Sequence, residues 1–320
     1  MGSTSSTGAV PHEDVGETGS LAGGDGADLP ALFRRSAAAH CDAPAIFADA
    51  ITWTYSALDT ASDGVAASLA ARGVVPGERV ALYCPNGAEF VVAYLGILKA
   101  GAIVVPINLL LNPHEIGFML RDAGVRGLFF HAAFAEQAAK ALADAPVVQW
   151  RIGICLEHDS GAADDYLHQL IETSPAVPVQ IDPANAAAVI LYTSGTTGRP
   201  KGAVLTHANL ASNARAVAEA LDLEPATDRL LVVLPMFHAF AGTVGILTPL
   251  LAGAALVPVP RFDPQAITQA VDTHHATIFL GVPSLYAVLM RLNDDRAAQW
   301  RSVRLCISGG AALPQALMQA

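Results

Sequence analysis

Charge is scarce in this chain. Asp, Glu, Lys and Arg make up 15% of its 320 residues while 52% are hydrophobic, against about 25% charged in ordinary soluble domains. Such a chain has more interior than surface to fill, and its length predicts a large core organised as roughly two domains or subdomains. Basic residues are the rarer sign, with 18 Lys and Arg against 29 Asp and Glu and a formal charge of −11. Without a basic surplus or a Lys/Arg stripe, nucleic-acid binding has no electrostatic support. Cysteine is equally sparse. Cys41, Cys84, Cys155 and Cys306 form no C-x-x-C pair and have no histidine at zinc spacing, which predicts free thiols in a cytoplasmic protein. His274 and His275 are adjacent rather than one turn apart, so they do not face each other as ligands, and no metal site is expected.

A secretory leader, with its charged and then apolar layout, is also missing from the N-terminus. Met1-Gly2-Ser3-Thr4-Ser5-Ser6 meets the loose myristoylation pattern, but a Gly/Ser tail produces it without lipidation. Residues 1–28 hold Glu13, Asp14, Glu17, Asp25 and Asp28, no Lys or Arg, and few large apolar side chains. They cannot bury enough surface to offset ordering entropy, which predicts a disordered acidic tail. The run from Ala239 to Pro260 lacks charge and is long enough for a bilayer. Pro249, Pro258 and Pro260, with Gly242, Gly245 and Gly253, divide it. That punctuation predicts a buried helix-turn-strand and no transmembrane segment, although peripheral contact with a membrane stays compatible.

Beyond the tail, strand and helix periods alternate. After Ile51-Thr52-Trp53, Thr54 can cap a helix carrying Leu58, Ala61, Val65 and Leu69, and Gly73 can close it. Val80–Cys84 reads as a strand, and Asn86 with Glu89 as a capping box for the helix of Phe90, Val91, Tyr94, Ile97 and Leu98. Ile103-Val104-Val105 then returns as a strand, completing a βαβ unit. Asn112-Pro113-His114-Glu115 opens another helix before Leu128-Phe129-Phe130, and strands follow at Leu230–Leu234, Ala255–Val257, Thr277–Leu280 and Leu305–Ile307. Such crossovers imply parallel sheets with helices on both faces. The predicted class is α/β, with one subdomain over 29–183 and a second, incomplete one over 184–320, joined near Pro183.

The chemistry concentrates in Tyr192-Thr193-Ser194-Gly195-Thr196-Thr197-Gly198-Arg199-Pro200-Lys201-Gly202. Glycine permits positive φ, so backbone N–H groups can converge on an anion. Thr193, Ser194, Thr196 and Thr197 add hydroxyl donors, and Lys201 an ammonium for phosphate oxygens. Pro200 stands where a Walker loop needs glycine, and Gly202 follows Lys201 where it needs Ser or Thr. It is a different phosphate loop.

This loop, followed by Ala203-Val204-Leu205-Thr206-His207-Ala208-Asn209-Leu210, resembles the signature of the AMP-forming adenylating enzymes: acyl-CoA synthetases, peptide-synthetase adenylation domains and firefly-type luciferases. Leu98-Lys99-Ala100-Gly101-Ala102-Ile103-Val104-Val105-Pro106 is similar to an early motif of the same superfamily, and the resemblance runs from about Leu29 to the last residue. It implies that Thr193, Ser194, Gly195, Thr196, Thr197, Gly198 and Lys201 bind ATP phosphates. His238, in Met236-Phe237-His238, matches the histidine that acyl- and aryl-CoA ligases hold beside the substrate carboxylate. With Phe237 it would line the acyl pocket, joined by Gly281, Val282 and Pro283 of Gly281-Val282-Pro283-Ser284-Leu285-Tyr286. Gly309, Gly310 and Ala311, after a strand, match the segment packed against adenine. Gly-Gly at a strand's carboxyl end lets a flat ligand approach the backbone. No acid near His238 offers to pair with a buried ammonium, which disfavours an amino-acid substrate.

The implied reaction is ATP-dependent activation of a fatty or aryl acid to acyl-AMP, then transfer to coenzyme A, with Mg2+ accompanying ATP. Lys201 and His238 would carry it. The resemblance stops short of the family's Tyr-Gly-x-Thr-Glu segment, ribose aspartate, hinge and C-terminal lysine domain, because Ala320 falls within the helix that Pro314 starts. The chain therefore reads as the front part of an acyl-CoA ligase. The alternatives are a fragment or nucleotide-binding module acting only with a partner chain or a separate C-terminal domain, and an acyl-AMP ligase loading a carrier protein. Negligible acyl-CoA synthesis by these residues alone is the expectation.

Overall fold

The structure is a computed structural model that describes residues 26–48, 51–155, 162–173, 178–193, 200–291 and 298–318. Most of the expected acidic tail lies outside the described residues. Asp28, its last member, is ordered as the cap of helix α1 (Leu29–Ala39), accepting the Ala31 N–H at 2.7 Å.

The chain continues with a hairpin of β1 (Pro44–Ala48) and β2 (Ile51–Thr54), then α2 (Tyr55–Ala71), β3 (Arg79–Tyr83), α3 (Ala88–Lys99), β4 (Ile103–Pro106), α4 (Pro113–Asp122), β5 (Val125–His131) and α5 (Ala135–Ala143). After β6 (Trp150–Ile154), β7 (Asp165–Tyr166) and α6 (Leu167–Leu170) come β8 (Ala187–Thr193), β9 (Lys201–Thr206) and α7 (His207–Ala220). The rest is β10 (Arg229–Val232), a π-helical stretch over Ala241–Leu247, α8 (Thr248–Ala252), β11 (Ala255–Pro258), α9 (Pro264–His274), β12 (Ile278–Gly281), α10 (Pro283–Met290), β13 (Leu305–Ser308) and α11 (Gln315–Met318).

Two sheets result. One has the order β7-β6-β5-β3-β4-β8-β9 and is parallel except for the antiparallel edge pair β8/β9. The other runs β13-β12-β10-β11-β1-β2 and is parallel except for β1/β2. Side chains alternate between faces along a strand, and here both faces are covered. Val80, Leu82 and Phe129 of the first sheet meet Leu230, Val232, Leu256 and Ile278 of the second in one core that also holds apolar residues of α1, α2, α3, α7 and α8. The opposite faces pack outward. Ala81, Tyr83, Leu128 and Phe130 lie against α4 and α5, while Leu231, Val257 and Phe279 lie against α9 and α10. Sheets buried on both sides account for the shortage of charge.

The division expected near Pro183 does not follow the sheets. β1 and β2 precede it yet belong to the sheet of β10 to β13, whereas β8 and β9 follow it yet complete the sheet of β3 to β7. Membership is set by pairing partners, which a composition shift cannot reveal.

Most predicted elements stand close to their expected limits. Thr54 caps α2, and Asn112 with Glu115 forms a capping box on α4. The uncharged run from Ala239 folds as helix, turn and strand, and among the described residues no helix is long and apolar enough to cross a membrane. The four cysteines are free. Lys99, in the early motif, is buried at 3% exposure, with Nζ 2.5 Å from Asp59 Oδ1 and 2.9 Å from Asp63 Oδ1, locking α3 to α2.

Asn86 corrects an expectation. The residue flanking α3 is Gly87, with no side-chain cap. Its neighbour Asn86 turns to the other sheet, where the main chain offers its amide more partners than the helix end does.

Candidate functional site

β10, β12 and β13 are neighbours in one parallel sheet, so their carboxyl ends form a single rim. That rim is where open α/β sheets bind ligands. It gathers three of the clusters found in the sequence. Val233–His238 follows β10, Val282 and Pro283 follow β12, and Gly309-Gly310-Ala311 follows β13. Gly309 N–H donates to Gly281 O at 3.1 Å, tying two of the clusters together. A Cβ on Gly309 would stand 2.6 Å from the Phe240 ring, so this close packing requires glycine there. Gly310 has φ +77°, a left-handed conformation that glycine adopts without strain.

His238 is fixed by a tight turn. Its N–H donates to Pro235 O at 3.0 Å, and its carbonyl accepts the Gly242 N–H at 2.8 Å, leading into the π-helical stretch. Such wide turns recur at functional sites. The imidazole is exposed at the mouth of a cavity, with its ring centroid 4.5 Å from that of Phe237. Partial burial holds its pKa below the ordinary histidine value, which keeps the ring neutral at pH 7.

The cavity has a volume of about 400 Å³. Leu109, Val233, Phe237, Val282, Leu285 and Val288 give it apolar walls, and His238, Ser284, Arg261 and Asn86 supply its polar atoms. Among the described residues, no Asp or Glu lines it. Of the expected segment, Val282 lines the cavity, while Gly281 and Pro283 beside it do not. Tyr286 holds that wall in place, donating its hydroxyl to Phe279 O at 3.1 Å and Ile307 O at 2.7 Å.

The phosphate loop belongs to the facing sheet. Thr193 and Lys201 stand opposite each other at the loop end of the β8/β9 hairpin. Ser194, Gly195, Thr196, Thr197 and Gly198 lie outside the described residues. Both Thr193 and Lys201 are exposed. Leu191, two residues before Thr193, shares a cavity of about 10 Å³ with His238, Ala239 and Thr243, so this hairpin abuts the histidine turn near its loop end. Tyr192 donates its hydroxyl to Asp122 at 2.6 Å, and burial together with this partner raises its pKa.

These arrangements coincide with a family assignment, since residues 33–320 match the AMP-binding enzyme family. The chain belongs to this family. Feruloyl-CoA synthase of Amycolatopsis sp is 36% identical to this AMP-binding enzyme over 261 residues, 82% of this chain and 50% of that protein. A long-chain-fatty-acid–CoA ligase of Mycobacterium tuberculosis is 33% identical over 273 residues, covering 84% and 52%. The crystal structure of an anthranilate CoA ligase in complex with anthranoyl-AMP aligns with TM-score 0.85 at 27% identity, over 91% of this chain and 57% of that one. A benzoate CoA ligase from Burkholderia xenovorans aligns with TM-score 0.81 at 28% identity, over 92% and 58%. The expected resemblance to the N-terminal part of the adenylate-forming superfamily is borne out. The chain spans about half the length of the curated relatives it matches.

Several contributors to this AMP-binding enzyme's cavity carry no signal of it in the sequence, Leu109, Arg261 and Asn86 among them. Leu109 and Arg261 lie in loops with no local signal, and Asn86 was assigned to a helix cap. Among the described residues no group of three His, Cys, Asp or Glu side chains could hold a metal ion.

Proposed function

We propose that this chain is the front part of a cytoplasmic AMP-forming acid–thiol ligase, which activates a fatty or aryl carboxylic acid with ATP and passes the acyl group to coenzyme A. The observation that carries this reading is the apolar cavity of about 400 Å³ with a neutral imidazole at its mouth and no acid among the described residues of its wall. An uncharged acyl or aryl tail suits those walls. A substrate ammonium would enter without a counter-charge, at a cost of several kcal/mol. The names of the relatives, which cover both aryl and long-chain fatty acids, favour the same substrate range.

In this reading the tail enters the cavity and the carboxylate rests by His238, whose neutral ring can donate one hydrogen bond. Thr193, Lys201 and the loop between them, residues 194–199, receive the ATP phosphates. One carboxylate oxygen attacks the α-phosphorus and the bond to the β-phosphate oxygen breaks, giving acyl-AMP and pyrophosphate. The Lys201 ammonium offsets charge on the departing oxygens, by positioning and electrostatics. A coenzyme A thiolate then attacks the acyl carbon and AMP leaves. Gly309, Gly310 and Ala311 offer a flat backbone surface to adenine. Magnesium would arrive with the nucleotide, held by its phosphates, since the described residues include no group of three ligating side chains.

Calorimetric titration with ATP and with non-hydrolysable octanoyl and benzoyl sulfamoyl adenosines tests this reading. Binding of all three is expected, with the affinity for ATP weakened at least tenfold by Lys201→Ala. No heat with any of them would sink it.

A further inference from the structure

Asn86 leaves the seven-stranded sheet after β3 and reaches across the core to the carboxyl ends of two strands in the other sheet. It is buried at 6% exposure. Its Nδ2 stands 3.2 Å from Val232 O, 3.0 Å from Leu234 O and 3.1 Å from Val259 O, and its Oδ1 accepts the Met236 N–H at 2.8 Å. Val232 O also accepts the Val259 N–H at 3.0 Å, whereas Leu234 and Val259 lie just beyond the β10 and β11 ladders. Buried main-chain groups without partners are costly.

We infer that Asn86 is the positioning residue of the His238 turn, setting the imidazole through one continuous chain of hydrogen bonds. From Asn86 Oδ1 the chain passes to Met236 N–H. Two residues on, His238 N–H closes the turn on Pro235 O at 3.0 Å, and His238 O takes the Gly242 N–H at 2.8 Å. Only an amide satisfies both ends of this arrangement. Aspartate has the same shape but no donor, and would aim a carboxylate at carbonyl oxygens. Leucine offers neither donor nor acceptor. Glutamine is one methylene too long for a site packed on all sides.

The role also couples the two sheets at the proposed reaction centre. Asn86 is rooted beside α3, while the turn it holds belongs to the sheet that carries the cavity. Displacing it would move His238 relative to the β8/β9 hairpin without altering either element's own ladder.

The ligand-binding half of this inference rests on the function proposed above; the geometric half does not, and the experiment separates them. Hydrogen exchange by NMR on the full 320-residue chain is expected to show the Met236 amide protected at least 100-fold over an unstructured peptide. In Asn86→Asp and Asn86→Ala that protection falls more than tenfold and the His238 ring resonances shift, while Leu128 in β5 and Ile152 in β6 keep theirs. Affinity for octanoyl sulfamoyl adenosine falls at least tenfold in both variants, and ATP affinity changes less than twofold. Unchanged Met236 exchange and His238 resonances in a folded variant would overturn the inference, as would parallel loss of protection in β5 and β6, or equal weakening of both ligands. Should neither variant fold, unprotected Met236 in the unmodified chain would overturn it and protection would uphold it. If the unmodified chain binds neither ligand, the proposed function fails and the exchange results alone judge Asn86.

Discussion

The ring of Phe240 lies so close to Gly309 that a Cβ on the glycine would stand 2.6 Å from its Cε1 and Cζ. The histidine turn and the turn after β13, far apart in sequence, thus share one contact. Gly309→Ala is expected to displace the ring and lose about 1–3 kcal/mol of stability, as overpacked sites do. Phe240→Ala should relieve part of that loss. A urea double-mutant cycle should find coupling above about 0.5 kcal/mol; strictly additive losses would refute the contact.

Lys99 has no exposed side-chain surface and answers two carboxylates, Asp59 and Asp63, which keep 27% and 18% exposure. Lys99→Met preserves most of the volume but leaves Asp59 without a cation, while Asp63 keeps Arg34 at 2.9 Å. Breaking a buried pair costs about 3–5 kcal/mol, and the partial solvation of both acids places this case near 3. A urea midpoint at neutral pH measures it. A loss under about 1 kcal/mol would show that the pair adds little.

Asp228 is 1% exposed and anchors β10 to β12 and β13. Burial pushes its carboxyl upward, but hydrogen bonds from Arg304, the Glu224 N–H and Thr277 outweigh burial and hold it below the ordinary value. The folded pKa is therefore below the unfolded one, so its stabilisation is complete above the unfolded value of about 3.9 and is lost as pH falls toward the folded value. Asp228→Asn should lower stability at neutral pH and flatten the decline below about pH 4. Urea unfolding across that range reads the slope, and an unaltered slope would count against Asp228.

For His238 the sign is opposite in protonation but equally definite. Its folded pKa is lowered by partial burial. The ring therefore gains its charge at a lower pH than an ordinary histidine, whose value is about 6.5. Affinity for an acyl-adenylate analogue should be flat from about pH 8 to 6.5 and change only on further acidification. In His238→Gln the acid-side change should disappear. An inflection above 6.5 that survives in this variant would assign it to another group.

The sequence announced local features and hid those made by distant partners. Thr54 and the Asn112/Glu115 pair could be read because a cap and its helix are neighbours along the chain. The strands showed in their apolar runs, since both faces of each parallel sheet are buried. Asn86 misled because Glu89 stands three residues on, the spacing of a capping box, while its real partners lie about 150 residues away. The histidine turn and the glycine turn were visible as motifs. Their placement on one rim depends on the adjacency of β10, β12 and β13, and the wall formed by Leu109 depends on the meeting of two sheets.

The place of the β1/β2 hairpin fixes an order of events during synthesis. Ile46 pairs with Leu256, a strand that leaves the ribosome about 200 residues later, a delay on the order of 10–40 s at ~5–20 residues per second. The seven-stranded sheet has all its strands by Thr206, before β10 emerges. Translation therefore delivers all described strands of one sheet first, with the hairpin waiting for β11.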